Sequence, residues 1–159
     1  MKNWPNLSLE RSPDYQGCFG CGRDNASGLK LAFQWDGRSA RADFVPREAH
    51  QGWPGLVHGG IIAALLDEGM GYAALYEVGR CVTARMQVKL RRPAMVGERL
   101  VISSSIKRKS RKLVETIATI SLEDGTVVAE GGGTHFVVMP NRQQSANPDT
   151  NDTGSPSQG

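Results

Sequence analysis

One run of the chain stands apart from the rest in its hydropathy. From residue 61 to 76 only Asp67 and Glu68 are charged, and the remaining positions are Ile, Leu, Ala, Gly, Met and Tyr. A segment this apolar on all sides predicts a buried helix. It opens at His58-Gly59-Gly60 and is too short and interrupted to span a membrane. The chain on either side alternates instead. Leu29, Leu31, Phe33 and Trp35 predict a half-buried strand, Asp36-Gly37 a hairpin turn, and Ala40, Ala42 and Phe44 the return strand, ended by Pro46. Residues 50–55, rich in Gly and Pro, read as a loop leading to the helix. After the helix, Val82, Ala84, Met86, Val88 and Leu90 alternate with polar residues in the longest strand pattern, which Pro93 and Gly97 break.

Three further strands follow. They are expected at 99–107, 113–122 and 126–139, with the basic segment 107–112 and Glu123-Asp124-Gly125 as turns. Gly131-Gly132-Gly133 predicts a bulge or a close backbone approach in the last of them. The fold class is therefore α+β: a curved antiparallel sheet of six strands wrapped around one long helix. Residues 1–17 read as a loosely ordered arm, 18–139 as one domain, and 140–159, almost without apolar residues, as a disordered tail.

Charge and composition narrow the function classes. The net charge of +3 over 159 residues is mild. A nucleic-acid binder would carry a larger basic excess with aromatic residues among it. The clusters Arg91-Arg92 and 107–112 suit a phosphorylated small molecule or a solvated turn equally well. Three cysteines and no signal-peptide pattern point to a soluble cytoplasmic protein. Cys18-Phe19-Gly20-Cys21-Gly22 is half of a zinc site with no second pair following. His50 or His58 is a formal completing ligand that nothing in the spacing demands, and a redox dithiol would want a following helix where Gly, Asn and Ser give a turn, so a structural knuckle ranks ahead of both and no metal is expected.

Two acids inside an apolar helix are costly unless paired, solvated by a cleft or used in chemistry. Gly60, Ala64, Asp67, Gly71 and Ala74 fall on one narrow stripe of small residues with a single carboxylate in its middle. Such a stripe admits another backbone, a helix or a ligand, and tight helix packing is its plainest explanation.

The His58-Gly59-Gly60 element with Asp67 nine positions after His58, followed by Arg92-Pro93-Ala94-Met95-Val96-Gly97-Glu98 between two strands, resembles the hotdog-fold acyl-CoA thioesterases. Within that 4-hydroxybenzoyl-CoA thioesterase superfamily it is most similar to the phenylacetate-pathway, PaaI-like type. Gly55-Leu56-Val57 and residues 18–29 share the likeness, which covers 18–138. The resemblance implies hydrolysis of acyl-CoA or aryl-CoA thioesters by a homodimer or homotetramer. No cofactor is implied beyond the coenzyme A of the substrate, and neither nucleic acid nor membrane is a partner. The Gly59 N–H would polarise the thioester carbonyl, Asp67 would act as general base or nucleophile, and Thr83 would help orient water. An unpaired amide at a helix mouth, reinforced by the helix dipole, suits an oxyanion on physical grounds as well.

Two departures accompany the likeness. Relatives often carry Asn six positions before the His; here that residue is Gly52, and the neighbouring Gln51 offers an amide. Glu68 follows Asp67, but the two point about 100° apart on a helix, so only one serves a given site. Asp67, on the small-residue stripe, faces open space. His58 at the helix mouth suits a structural hydrogen bond. Gly60, Arg91, Arg92, Arg108, Lys109 and Arg111 are the candidate substrate contacts. Eight residues of helix separate Gly59 from Asp67 by about 12 Å, whereas a base must lie within about 3 Å of its proton or one water away. If both act on one thioester, they come from different subunits. Two other readings share the fold: an acyl-CoA-binding protein without turnover, and an enoyl-CoA hydratase or dehydratase recruiting His58.

Overall fold

Period-two burial runs through the strands. Ala40, Ala42 and Phe44 are buried in one strand, Leu100, Ile102 and Ser104 in a second, and Val114, Thr116, Ala118 and Ile120 in a third, with exposed or half-buried residues between them. These faces meet Leu65, Leu66 and Met70 of the helix, all fully buried. The computed structural model describes residues 15–140. It contains β1 (Gln34–Trp35), β2 (Ser39–Phe44), α1 (Gly59–Glu77), β3 (Gly79–Leu90), β4 (Leu100–Lys109), β5 (Leu113–Leu122) and β6 (Val127–Pro140). All strand pairs are antiparallel, in one sheet of order β1-β2-β4-β5-β6-β3, folded around the single long helix as expected. No helix among the described residues is long and apolar enough to cross a membrane. The arm and tail expected at 1–17 and 140–159 lie almost wholly outside the described residues.

Caps fix both ends of α1. His58, extended at φ −61° and ψ 135°, is the N-cap, and its side chain accepts from the Gly60 N–H. At the far end Gly79 takes φ 116°, the left-handed conformation that lets the chain leave the helix and enter β3. The helix lies tight on the sheet where glycine allows it. A Cβ at Gly69 would stand 3.0 Å from Ile102 Cγ2, and Ser104 Oγ donates to the Gly69 carbonyl at 2.5 Å.

One expectation is resolved between its alternatives and three change. Gly131-Gly132-Gly133 keeps unbroken register with β3 and β5, so it marks close approach rather than a bulge; Leu66 and Met70 occupy the space its side chains would need. The β3–β6 pairing has two irregularities instead, one that leaves Val138 of β6 extra opposite Arg80 and Cys81, and one that leaves Ala84 of β3 extra between Thr83 and Arg85. The second one shifts the phase. Cys81 packs inward against the helix end, Thr83 reaches Asp67, and Met86 resumes the inward face, so Val82 and Ala84 do not share a face with Met86. The strand expected at 29–35 shrinks to two residues because Lys30 has φ 58°. Its ammonium gathers the carbonyls of Gly22 at 3.1 Å, Arg23 at 2.6 Å and Asn25, tying the 15–31 segment into a knuckle. The basic turn is also shorter than expected, since β4 runs on to Lys109.

Candidate active site

The small-residue stripe of α1 is divided: Ala64 and Ala74 pack into the core, while Gly60 and Gly71 stay open. A Cβ at Gly71 would meet nothing within 4 Å, and one at Gly60 would meet only His58. Two separate cavities open along the helix instead. One, of about 470 Å³, surrounds the helix mouth; Trp53, His58, Gly59, Leu90 and Arg92 are among its walls. The other, of about 270 Å³, is lined by Asp67, Glu68, Gly71, Tyr72, Thr83, Cys18 and Cys21.

At the mouth, His58 Nδ1 accepts from the Gly60 N–H at 2.9 Å, so this nitrogen carries no proton and Nε2 does. The Gly60 amide is thereby spent on the cap. The Gly59 amide, first in the helix, makes no hydrogen bond among the described residues. The His58 backbone is fixed in turn by its N–H, which donates to the His50 carbonyl at 2.9 Å. Gln51 takes another course. Its Oε1 accepts from the Gly55 N–H at 3.2 Å, and its side chain is not part of the cavity wall, where Gly52 stands instead.

At the acid, Thr83 Oγ1 donates to Asp67 Oδ1 at 2.9 Å and lies 3.2 Å from His135 Nδ1; His135 Nε2 lies 2.7 Å from Thr116 Oγ1. A carboxylate only accepts, so the Thr83 proton points to Asp67 and the Thr83 oxygen accepts from His135 Nδ1–H. His135 Nε2 then accepts from the Thr116 hydroxyl. The chain of bonds selects one neutral tautomer of His135. Burial lowers the His135 pKa, against the smaller opposing pull of the Asp67 charge. His135 is 1% exposed. It escaped the sequence reading, although it stands on the same face of β6 as Gly133, two positions earlier, whose missing side chain leaves it room.

Glu68 diverges from its neighbour. Cys18 Sγ lies 3.7 Å from Glu68 Oε1, and Glu68 makes no bond to Thr83. Burial raises the Glu68 carboxyl pKa, with the adjacent Asp67 charge a lesser cause. Of the candidate phosphate contacts, Arg91 and Arg92 line the mouth cavity. Each holds a carboxylate, Arg91 that of Glu130 at 2.5 Å and Arg92 that of Glu98 at 3.0 Å. Arg108 pairs with Glu115 at 2.5 Å and Lys109 with Glu77, while Arg111 is exposed in the β4–β5 turn. None of these three lines either cavity.

Comparison with known proteins places this geometry. Residues 54–129 match the family described as the thioesterase superfamily, a span that includes the helix mouth, Asp67 and Thr83. The acyl-coenzyme A thioesterase THEM4 of Xenopus laevis is 31% identical over 85 residues, which are 54% of this chain and 38% of that protein. The chain thus spans about two fifths of the length of the curated relatives it matches. Among solved structures, a thioesterase superfamily protein is 29% identical with a TM-score of 0.67, covering 73% of this chain and 60% of its own. A phenylacetic acid degradation-related protein from Ralstonia eutropha JMP134 is 26% identical with a TM-score of 0.60, covering 69% and 86%. Residues 54–129 therefore match the thioesterase superfamily, and the sheet and helix that carry them are the hotdog fold.

Proposed function

We propose that this chain hydrolyses acyl-CoA or aryl-CoA thioesters at a site completed across a homodimer. The observation that carries the reading is the placement of two half-sites on one helix: an unspent amide at Gly59 in one open cavity, and a Thr83-held carboxylate at Asp67 in another. In a single chain they stand about 12 Å apart along the helix. A second copy turned by a two-fold axis brings the mouth of one helix opposite the acid of the other. The open edge of β3 supports this. The strand is 12 residues long, pairs among the described residues only with β6, and leaves Val88 and Leu90 37% and 56% exposed. An edge of that length with apolar side chains calls for a partner strand.

In this reading the thioester carbonyl oxygen sits at the Gly59 N–H, where the helix dipole stabilises the developing oxyanion. Asp67 of the other chain takes a proton from water, whose oxygen forms the new bond to the carbonyl carbon. As the tetrahedral intermediate collapses, the carbon–sulfur bond breaks, the coenzyme A thiolate leaves, and the proton held by Asp67 passes to it. Thr83 and His135 hold Asp67 in register for the water. Arg91 and Arg92 at the mouth are the cations placed to meet coenzyme A phosphates. The three cysteines are unpaired, as a reducing compartment keeps them, and a cytoplasmic location belongs to the same reading.

The test is thiol release from a panel of short, long and aryl coenzyme A esters. Turnover of at least one class is expected, with Asp67→Asn lowering kcat by about 10²–10⁴-fold, the range for a general base. Undiminished turnover by Asp67→Asn, or binding of the whole panel without turnover, would overturn the assignment.

A further inference from the structure

Beside the acid, and unused by the hydrolysis, lies a second cluster of reactive groups. Cys18 Sγ, Cys21 Sγ and a Glu68 carboxylate oxygen all fall within 4.8 Å of one another. We propose that these three side chains bind a zinc-class divalent cation, which fastens the N-terminal knuckle onto α1. The inference is independent of the thioesterase reading and goes beyond it.

The ligand chemistry and the distances agree. Zinc takes thiolates at about 2.3 Å and carboxylate oxygens at about 2.0–2.2 Å in a tetrahedron, which sets neighbouring ligand atoms about 3.5–3.8 Å apart. Cys18 Sγ and Glu68 Oε1 already stand 3.7 Å apart. Closing the set needs side-chain movements of about 1 Å or less. Two cysteines spaced C-x-x-C on one tight turn are the usual half-site for zinc. What the sequence lacked was a second half, and a residue 50 positions away supplies it.

The local backbone is shaped for this approach. A Cβ at Gly20 would run into the Glu68 carboxylate, so only glycine between the two cysteines lets that carboxylate reach them. The Gly22 N–H donates to the Cys18 carbonyl at 2.9 Å, closing the turn, and a Cβ at Gly22 would collide with Gln16 and Cys18 backbone atoms. Lys30 fastens the carbonyls on the outer side of the same turn. Tyr72 lines the same cavity beside the two cysteines. Burial pushes the Cys21 thiol up to about 11, so a cation bound there would displace its proton. Cys18, Cys21 and Glu68 all line the cavity that Asp67 lines, which leaves room for a water as fourth ligand.

The experiment uses the full chain, purified under reductant without a chelating tag. Elemental analysis is expected to find one zinc per chain. After stripping, titration with Co²⁺ is expected to give a thiolate-to-cobalt charge-transfer band in the near ultraviolet and the strong visible bands of four-coordinate cobalt. Zinc should also raise the Tm of the stripped protein, since a ligand that binds the folded state stabilises it. Glu68→Gln should weaken cobalt binding about tenfold or more, because an amide is a poor zinc ligand. Cys18→Ser with Cys21→Ser should abolish the near-ultraviolet band. Asp67→Asn should leave binding intact whether or not the protein proves to be a thioesterase. Absence of the charge-transfer band in the folded wild-type chain would overturn the proposal. So would unchanged binding in the serine variant, or a mass two hydrogens lighter from a Cys18–Cys21 disulfide in thiol-trapped cell extracts.

Discussion

The Thr83 hydroxyl reaches from β3 to the middle of α1 and donates to Asp67 Oδ1 across 2.9 Å. The irregularity between Thr83 and Arg85 makes this possible, because it allows both Thr83 and Met86 to face the helix despite their odd spacing. A hydrogen bond to a charged group contributes about 1.5–3 kcal/mol, which is about 10–150-fold in rate if it is needed in the transition state. Thr83→Ala is therefore expected to lower kcat by that factor with little change in KM, and Thr83→Ser to retain most activity. Steady-state kinetics on one good thioester distinguishes the two. Equal losses in both variants would show that packing of the methyl group, not the hydroxyl, matters.

Stability should fall on acidification because of His135. Its folded-state pKa lies below its ordinary value of 6.5, with burial as the main cause. A group depressed in this way is neutral in the folded chain where the unfolded chain already binds a proton, so stability is complete above about pH 6.5 and declines as pH drops through that value. His50 adds a contribution of the same sign, from burial and the nearby Arg47 charge. Urea unfolding between pH 8 and 5 is expected to show this decline, and His135→Gln to flatten part of it. A variant with the wild-type slope would assign the whole effect to His50 or to carboxylates.

Two glycines two positions apart in α1 should respond differently to a methyl group. At Gly69 the added carbon stands 3.0 Å from Ile102 and 3.3 Å from Ser104, so Gly69→Ala is expected to cost about 1–3 kcal/mol by overpacking. At Gly71 nothing lies within 4 Å, and Gly71→Ala is expected to cost less than that or to stabilise by up to about 1 kcal/mol. Denaturation midpoints of the two variants measure the difference.

Much of this was legible before the structure. The apolar run had only one placement, inside a sheet, and alternation, β-branched runs and turn residues together located five of the six strands well. Gly59 and Asp67 stand out through the likeness of His58-Gly59-Gly60 and the acid nine positions after His58 to the hotdog thioesterases. The remainder depended on contacts that no local pattern encodes. Lys30 adopts a left-handed conformation usually left to glycine, and its reward is a set of carbonyls that exist only once the knuckle has formed. The irregularity after Thr83 carries no glycine or proline to announce it, so the inward phase of β3 was misjudged at Val82 and Ala84. His135 and Glu68 meet their partners 52 and 50 positions away, beyond the range of any motif. Gln51 was placed by analogy with an absent Asn, and its carbonyl oxygen instead holds the loop at Gly55.

The shared site is tested most directly by complementation between two inactive chains. Gly59→Pro deletes the amide at the first helical position, where proline is well tolerated and the extended His58 before it is compatible. It is expected to lower turnover by about 10²–10³-fold, the effect of removing one oxyanion donor. Asp67→Asn disables the acid. Subunits of the two variants, dissociated and reassembled in equal amounts, form mixed dimers in half of the pairs, each with one intact site out of two. Recovery to about one quarter of wild-type activity is the predicted result. Activity no greater than the sum of the two separate variants, with mixed dimers shown to have formed, would contradict it.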